Sequence, residues 1–395
     1  VYNRNKAVLE PSFVCEALGL QGRVDLMTTD FKLLVEQKSG NNYNIQTHQP
    51  NEYGSFQKEE HYVQLLLYYG VLRQNFHVPS NKIDMRLLYS KYPLPGGLVV
   101  VNFYQKLFRE AIGLRNRIVA YEYSFALNGF EGTTDMLSAD IINEKKLATP
   151  FYFKYIQPRL DAVINPLHNL SPLEKAYYER MMTFVYREQL AAKVGEQEGV
   201  GNSTSDLWNM PLANKKEAGN IYTDLTITAK AKSKDINGFD IITLNVPNQG
   251  EDFLPNFRLG DLVYLYSYSP LEGPDVRNSL LFKGNLIEIH TDSVTVKTVN
   301  PIPKEGNVWA IEHSGSDIGG TSAIRSLHQF ITSAPKCRQL LLAQRVPEQD
   351  TTVQLTRNYH PTYDPLLLKA FQAKDYFLLV GPPGTGKTSM ALQFM

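Results

Sequence analysis

The sequence is poor in cysteine, has no excess of charge of either sign and contains no long apolar run. Two cysteines, Cys15 and Cys337, are too few for a disulfide framework or a four-cysteine metal or iron–sulfur site, and we expect both to be buried as small apolar residues. The 40 basic and 40 acidic residues cancel, so nucleic-acid binding would need a local basic path. No apolar run approaches the ~20 residues that span a bilayer. These absences exclude disulfide-rich, uniformly basic and helical membrane proteins.

The 395 residues, 43% hydrophobic and 20% charged, are enough for about two to four domains with buried cores. Residues 1–120 mix short apolar strands with one amphipathic helix over Glu59–Leu72. Residues 121–219 are predicted to form a helical stalk, with a long helix capped by Ser171. The stalk is expected to end in a linker or exposed loop at Gly195–Gly219, which is rich in Gly, Asn, Ser and Glu.

Strand patterns with a period of two occupy residues 220–312. Several short β-rich stretches alternate with turn signals, and Asn237 followed by Gly238 is a strong hairpin signal. Short strands at such intervals predict a small β-barrel. The expected fold class is therefore an α/β multidomain chain.

Residues 313–395 begin with a predicted helix over Ser322–Leu342 and reach an apolar stretch, Tyr376–Val380, that is typical of a buried parallel strand. The next residues fit the phosphate-loop pattern G-x-x-x-x-G-K-[ST], in which backbone N–H groups surround a phosphate at a helix N-terminus. The lysine would reach the β- and γ-phosphates of ATP, and the first hydroxyl residue would ligate its Mg²⁺. A Gly/Pro-rich turn without a ligand is the alternative. The predicted nucleotide-binding residues are Gly381, Gly384, Thr385, Gly386, Lys387, Thr388 (the Mg²⁺ ligand) and Ser389.

The sequence ends at Met395, seven residues after Thr388. The metal-supporting acidic strand, the water-positioning residue and the arginine finger of an ATPase would all follow the phosphate loop. We therefore expect the chain to be part of a larger protein and its ATPase core to be incomplete, starting a P-loop motor domain.

A predicted β-hairpin turns at Asp30 and Phe31 and brings two carboxylates together. Facing residues have numbers that sum to 61, which places Asp25 opposite Glu36. Like charges in this position are destabilising, and a divalent cation between them would remove the repulsion; hard oxygen ligands suit Mg²⁺ or Mn²⁺. Lys38, two residues after Glu36, projects from the same face and could neutralise charge on a phosphate. An exposed acidic pair on a surface hairpin is the alternative.

The helix predicted over Glu59–Leu72 has two distinct faces. His61, Gln64 and Tyr68 lie at i, i+3 and i+7, on one face. For Gln64 and Tyr68, an ordinary amphipathic surface is the alternative. A separate stripe can pack on neighbouring structure: Tyr62, Leu66 and Tyr69.

The hairpin and the helix together resemble the PD-(D/E)XK nuclease core of the RecB-like branch. In the order of these elements, the chain also resembles the fused nuclease–helicase family that trims DNA flaps and resects ends, in which such a nuclease is joined to a superfamily 1B helicase. The stalk helix, the small barrel and the phosphate loop are similar to the later parts of that family. The nuclease resemblance rests on Gly19, Gly22, Arg23, Asp25, Glu36, Lys38, His61, Gln64 and Tyr68, and on the similar helical element from Gly113.

The resemblance implies a role for each of these site residues. Asp25 and Glu36 would bind the nuclease Mg²⁺ or Mn²⁺, and Lys38 would be catalytic. Gln64 and Tyr68 would position the DNA backbone or the catalytic groups.

The chain departs from this family in three respects. Only Cys15 precedes the predicted linker, where many relatives have four cysteines around an iron–sulfur cluster, so no such cluster is expected. In the family, an upstream helix also contributes a His or Glu to the site. The sequence begins at Val1, so we expect this contribution to be missing here. Glu10 is a weaker candidate metal ligand. The glutamine that usually contacts adenine is not evident around Tyr359–Asp364.

The function implied is a Mg²⁺-dependent nuclease that hydrolyses single-stranded or flap DNA, fused to an ATP-dependent helicase motor for DNA replication and repair. The implied partners are DNA and, as candidates, a single-strand-binding protein or other repair proteins, with no membrane. The implied location is the cytoplasm with the bacterial nucleoid, or the nucleus in a eukaryote.

Two other functions stay open at this level. One is a non-cleaving, DNA-binding remodelling ATPase with a degenerate nuclease fold, and the other is an unrelated P-loop ATPase with a chance acidic hairpin. Basic residues that could line a DNA path, or simply form solvated helix faces, are Arg115, Arg117, Lys145 and Lys146.

Overall fold

The computed structural model describes residues 6–195, 203–234, 240–303, 308–314, 318–388 and 392–394. It contains a mixed sheet, helices and a six-stranded barrel, which confirms the expected α/β multidomain class at that level. Within the described residues, no helix combines the length and the apolar character needed to cross a bilayer. The chain divides into two compact units, Val1–Asn128 with Tyr186–Gly320 and Gly129–Val185 with Thr321–Met395.

The first unit opens with a mixed five-stranded sheet and a two-stranded ribbon. The elements are β1 (Ala7–Leu9), β2 (Ser12–Cys15), β3 (Leu20–Arg23), β4 (Leu26–Thr28), β5 (Leu33–Lys38), α1 (Tyr43–Thr47), α2 (Glu59–Asn75), β6 (Asp84–Tyr89), β7 (Leu98–Val101) and α3 (Gln105–Asn128). The sheet order is β1-β4-β5-β6-β7, and β2 pairs with β3. Only β5 and β6 are parallel, because α2 lies in the crossover between them.

Helix α2 confirms the helix predicted over Glu59–Leu72 and continues to Asn75. Its predicted apolar stripe is buried, with Tyr62, Leu66 and Tyr69 each less than 5% exposed. The stripe belongs to the hydrophobic core that includes residues of the central strands. The helix is therefore fixed by tertiary packing, which leaves its polar face toward the end of β5.

The second unit contains short helices followed by two longer ones. Its elements are α4 (Thr133–Met136), α5 (Ala139–Ile142), a π-helical turn (Tyr152–Ile156), α6 (Gln157–His168) and α7 (Pro172–Val194), whose last residues belong to the first unit. The predicted cap of α7 is confirmed: the Glu174 N–H donates to Ser171 Oγ at 3.4 Å, and the Ser171 N–H donates to Glu174 Oε2 at 2.9 Å. This reciprocal pair is a capping box.

The prediction of a linker or exposed loop over Gly195–Gly219 is wrong for residues 203–219, the part that the structure describes. Two short helices, α8 (Asp206–Asn209) and α9 (Leu212–Glu217), occupy this stretch, and Leu207 is buried. The polar composition concealed a few apolar anchors, whose burial stabilises an ordered segment.

A buried ion pair fixes the same segment to a distant strand. Lys215 Nζ donates to Glu312 Oε2 at 2.6 Å and to the Leu207 carbonyl oxygen at 2.8 Å. The Tyr266 hydroxyl donates to the other oxygen of Glu312 at 2.5 Å. Burial raises the pKa of Glu312, while the Lys215 charge opposes that rise.

The predicted small β-barrel is confirmed. Its strands are β8 (Ile221–Lys232), β9 (Asp240–Asn245), β10 (Leu262–Ser267), β11 (Phe282–Ile289), β12 (Ser293–Thr298) and β13 (Trp309–His313). The six antiparallel strands close in the order β10-β11-β12-β9-β8-β13. Alternate residues of β9 and β11 face the interior. The turn predicted at Asn237 and Gly238 lies outside the described residues.

The ribbon and the barrel are joined by backbone hydrogen bonds within the first unit. The Ser12 N–H donates to the Leu281 carbonyl at 2.8 Å, and the Leu281 N–H donates to the Ser12 carbonyl at 3.1 Å. An ion pair between Arg277 and Glu16 (2.8 Å) lies on the same ribbon. The barrel therefore contacts strand β2 at Ser12, which pairs within the ribbon with Arg23, two residues before Asp25.

The C-terminal part of the chain corrects the predicted single helix and the expected burial of Cys337. The helix predicted over Ser322–Leu342 is two helices, because the chain breaks before Pro335, which starts the second. Cys15 is buried as expected, but Cys337 is exposed. The helices of this part are α10 (Ile318–Thr332), α11 (Pro335–Leu341), α12 (Asp364–Gln372) and α13 (Leu392–Phe394).

The strand predicted over Tyr376–Val380 is wrong. These residues form no strand, and Leu378 and Val380 are 75% and 91% exposed. A strand needs a neighbour with which to exchange backbone hydrogen bonds, and in the described part of the chain none of the strands pairs with this stretch.

Candidate active site

The predicted hairpin forms with the expected register. Strands β4 and β5 pair Leu26 with Val35 and Met27 with Leu34, so facing residue numbers sum to 61. Asp25 immediately precedes β4 and lies outside this pairing, and its charge is close enough to Glu36 to raise the pKa of that carboxyl. The Gln37 N–H donates to Asp25 Oδ2 at 2.6 Å, which fixes that carboxylate against β5.

Glu36 is the most unusual ionisable group of this hairpin, because it is buried with one oxygen unpaired. Its Oε1 accepts from Lys38 Nζ at 2.8 Å and from Gln64 Nε2 at 2.7 Å. Its Oε2 is buried and has no hydrogen-bond partner among the described residues. Burial raises the pKa of Glu36, the Lys38 hydrogen bond opposes this, and the Asp25 charge raises it further.

Gln64 connects the helix face to the hairpin. Besides its bond to Glu36, its Oε1 accepts from Lys38 Nζ at 2.8 Å and its Nε2 donates to the Tyr68 hydroxyl at 2.9 Å. The Tyr68 hydroxyl in turn donates to the Arg23 carbonyl at 2.7 Å, just before Asp25. The structure thus brings Glu36, Lys38, Gln64 and Tyr68 into one hydrogen-bonded network, which disfavours the amphipathic-surface alternative for the two helical residues.

His61 lies one turn before Gln64 and contacts a buried tyrosine that the sequence did not reveal. Its Nδ1 is 3.0 Å from the Tyr89 hydroxyl, which also accepts from the Lys58 N–H at 3.0 Å. Tyr89 is fully buried and pairs in register with Lys38 across β5 and β6. Burial lowers the pKa of His61, and the Lys38 charge lowers it further, which favours a neutral imidazole.

Gly22 is a second residue whose role sequence reasoning missed. A Cβ atom there would lie 2.7 Å from Tyr68 Cε1, closer than any ordinary contact. The glycine therefore lets the tyrosine ring cross β3 and reach the Arg23 carbonyl. The only sequence signal was the position of Gly22 three residues before Asp25.

Glu10 lies beside Asp25 through its backbone, but its carboxylate is engaged elsewhere. The Glu10 N–H donates to the Asp25 carbonyl at 3.1 Å. Its Oε2 lies 3.0 Å from Arg23 Nη1 and accepts from Asn300 Nδ2 at 3.0 Å. The structure therefore does not join Glu10 to the Glu36 network.

The donor set suits a hard divalent cation. Among the described residues, no group of three or more His, Cys, Asp or Glu side chains is arranged as a metal site, so the candidate site consists of Asp25 and Glu36. Mg²⁺ commonly binds one or two carboxylates and completes its shell with water and substrate phosphate. The unpaired Oε2 of Glu36 is a buried oxygen that such a ligand would satisfy.

The predicted phosphate loop is an irregular, largely exposed segment. Gly384 and Gly386 adopt positive φ values of 81° and 77°, which L-residues rarely adopt. Lys387 Nζ donates to the Gly381 carbonyl and, at 2.7 Å, to the Pro382 carbonyl. Gly381, Thr385 and Thr388 are in the described loop, whereas Ser389 lies outside the described residues.

Comparison with known proteins adds no relative. No protein-family model matches the sequence, and a search of the curated proteins finds no significant match.

Proposed function

We propose that the chain contains a metal-dependent DNA nuclease of the RecB-like PD-(D/E)XK type, fused to the start of an ATP-driven superfamily 1B helicase motor. The substrate is single-stranded or flap DNA, cut by phosphodiester hydrolysis during replication or repair. The location that this function implies is the cytoplasm with the bacterial nucleoid, or the nucleus in a eukaryote.

One observation supports this proposal above the others. Glu36 is a buried carboxylate that feels the charge of Asp25 and is hydrogen-bonded to an amine, and its other oxygen has no partner among the described residues. Leaving a buried charged oxygen without a partner costs folding free energy. An unpaired buried oxygen destabilises the fold, so its presence favours a role in ligand binding over a role in fold stability.

Asp25 and Glu36 would hold Mg²⁺ or Mn²⁺, whose chemistry when bound is to polarise the phosphodiester and to acidify a water molecule. Lys38 would then turn its Nζ toward the phosphate and stabilise the charge that develops on it. Gln64 holds Lys38 and Glu36 in position through its two ends. Tyr68 fixes Gln64 to the backbone of Arg23, which keeps the helix face in register with the hairpin.

The motor part of the proposal rests on the phosphate loop. Its glycines have the backbone conformations that allow N–H groups to point at an anion. Lys387 would exchange its bonds to loop carbonyls for bonds to the β- and γ-phosphates of ATP, and Thr388 would ligate the nucleotide Mg²⁺.

The test is cleavage of end-labelled single-stranded and flap DNA in Mg²⁺ or Mn²⁺. The variants Asp25→Ala, Glu36→Gln and Lys38→Ala should each lose activity by about 10²-fold or more. Asp30→Asn is the matched control, because Asp30 is a carboxylate in the turn of the same hairpin and its partners in the described chain are the nearby Thr28 and Lys32. It should cut at the wild-type rate.

Two outcomes would contradict the proposal. Cleavage that persists in Asp25→Ala and Lys38→Ala would place the chemistry elsewhere. Wild-type protein that binds DNA but cuts at no Mg²⁺ or Mn²⁺ concentration would instead support the non-cleaving remodelling ATPase.

A further inference from the structure

A second surface, in the other compact unit, combines exposed aromatic rings with unpaired cations. Residues 145–160 contain four aromatic residues and four basic residues but no acidic one. Three of the aromatic side chains are exposed: Phe151 at 63%, Phe153 at 55% and Tyr155 at 45%. Single exposed apolar residues are common, but three within five residues need an explanation.

The backbone of this stretch is held by its one buried ring. Tyr152 is buried, and its hydroxyl donates to the Ala139 carbonyl at 3.3 Å. The surrounding turn, Tyr152–Ile156, is π-helical, a rare conformation that occurs frequently at functional sites. Anchoring Tyr152 inward leaves its neighbours on the outside of a fixed turn.

The exposed rings form a contiguous edge with a cation. The ring centroids of Phe151 and Tyr155 lie 5.2 Å apart at an interplanar angle of 44°. Lys154 Nζ lies 5.2 Å from the centroid of Tyr155. One turn later, Arg159 is exposed. Neither Lys154 nor Arg159 forms an ion pair with the residues that the structure describes.

We propose that Phe151, Lys154, Tyr155 and Arg159 form a stacking platform for single-stranded nucleic acid, separate from the hairpin site. Nonspecific single-strand binding combines base stacking on aromatic faces with cations that follow the phosphates, and both are present here. The positive charge of Lys154 and Arg159 is complementary to a polyanion. The platform does not depend on hydrolysis, so it stands or falls separately from the nuclease.

The test is fluorescence anisotropy of a labelled oligo(dT) of about 16 nucleotides, titrated with the full chain in EDTA. Phe151→Ala and Tyr155→Ala should each remove a stacking partner of one base and weaken oligo(dT) binding about 5- to 100-fold. The salt dependence of the affinity should stay unchanged in both variants. Lys154→Gln and Arg159→Gln should each lower the slope of log affinity against log salt by about 0.7.

Phe371→Ala is the matched control, since Phe371 is an exposed aromatic of α12 in the same unit, at 46% exposure. It should bind like wild type. As a second measurement, irradiation of an oligonucleotide containing 5-iodouracil should cross-link to Phe151 or Tyr155.

The proposal is overturned if the wild-type chain binds no oligo(dT), if both alanine variants keep wild-type affinity, or if the cross-link maps elsewhere. Alanine variants with unchanged DNA affinity but reduced self-association would assign the surface to a protein contact instead. Loss of DNA cutting in the hairpin variants, with oligo(dT) binding intact, would leave the platform in place.

Discussion

The close approach of Gly22 and Tyr68 gives the sharpest prediction, because one added methyl group should disturb the candidate active site without touching any of its polar atoms. A Cβ at position 22 would lie 2.7, 3.5 and 3.8 Å from Tyr68 Cε1, Cδ1 and Cζ. Carbon atoms pack at about 3.5–4.0 Å, so in Gly22→Ala the ring must retreat by about 1 Å.

That retreat has a definite consequence for the hydrogen bonds of Tyr68. Its bond to the Arg23 carbonyl is 2.7 Å long, and its bond to Gln64 is 2.9 Å. A shift of about 1 Å takes both beyond hydrogen-bonding distance. Strain and the two lost bonds together should lower the free energy of unfolding by about 2–4 kcal/mol. Because Gln64 loses its anchor, DNA cleavage should fall about 10²-fold.

Thermal unfolding and single-turnover DNA cleavage measure these two effects separately. Gly113→Ala is the control, since nothing lies within 4 Å of a Cβ there; it should gain roughly 0.5–1 kcal/mol and cut normally. In the double variant Gly22→Ala/Tyr68→Ala the clash is gone, so its stability loss should be smaller than the sum of the single losses. If Gly22→Ala unfolds and cuts like wild type, the reasoning is refuted.

Three further predictions follow from other parts of the chain. Lys215→Met should lower the free energy of unfolding by about 3–5 kcal/mol, because it leaves Glu312 buried and unpaired. The control Lys106→Met removes an exposed ion pair and should change the free energy of unfolding by less than about 0.5 kcal/mol. Urea denaturation measures both changes. Burial raises the pKa of Glu36, so the contribution of this group to stability is full below the ordinary glutamate pKa of 4.5 and is lost as pH rises through the raised value. A metal ion binds the deprotonated carboxylate. On acidification, the Mn²⁺ affinity measured by calorimetry should therefore begin to fall at a pH above 4.5. Metal affinity that is flat until pH 4.5 would contradict this. Lys387→Ala should weaken binding of a fluorescent ATP analogue about 10- to 100-fold and leave DNA cutting unchanged.

The parts of the site that the sequence predicted are those governed by local geometry. The hairpin register followed from the turn at Asp30 and Phe31, and the shared face of Gln64 and Tyr68 followed from helical periodicity. The small barrel was predictable for the same reason, since its strands alternate with a period of two.

Contacts between distant residues were not predictable. The pairing of Lys215 with Glu312 depends on barrel closure, and its polar surroundings in sequence indicated a loop. The packing of Gly22 against Tyr68 needs the relative position of a ribbon and a helix. The strand prediction for Tyr376–Val380 was wrong for the opposite reason. The composition of this stretch favours a strand, but in the described chain no neighbouring strand forms hydrogen bonds with its backbone.

The pair of backbone bonds between Ser12 and Leu281 bears on how this protein can be dissected. A fragment ending at Asn128 would keep every residue of the hairpin and of α2. It would lose Leu281, whose backbone pairs with Ser12 of the ribbon, and Asn300, which donates to Glu10. Isolation of the first compact unit should therefore keep Tyr186–Gly320 and delete residues 129–185 from within the chain, rather than truncate the chain at Asn128.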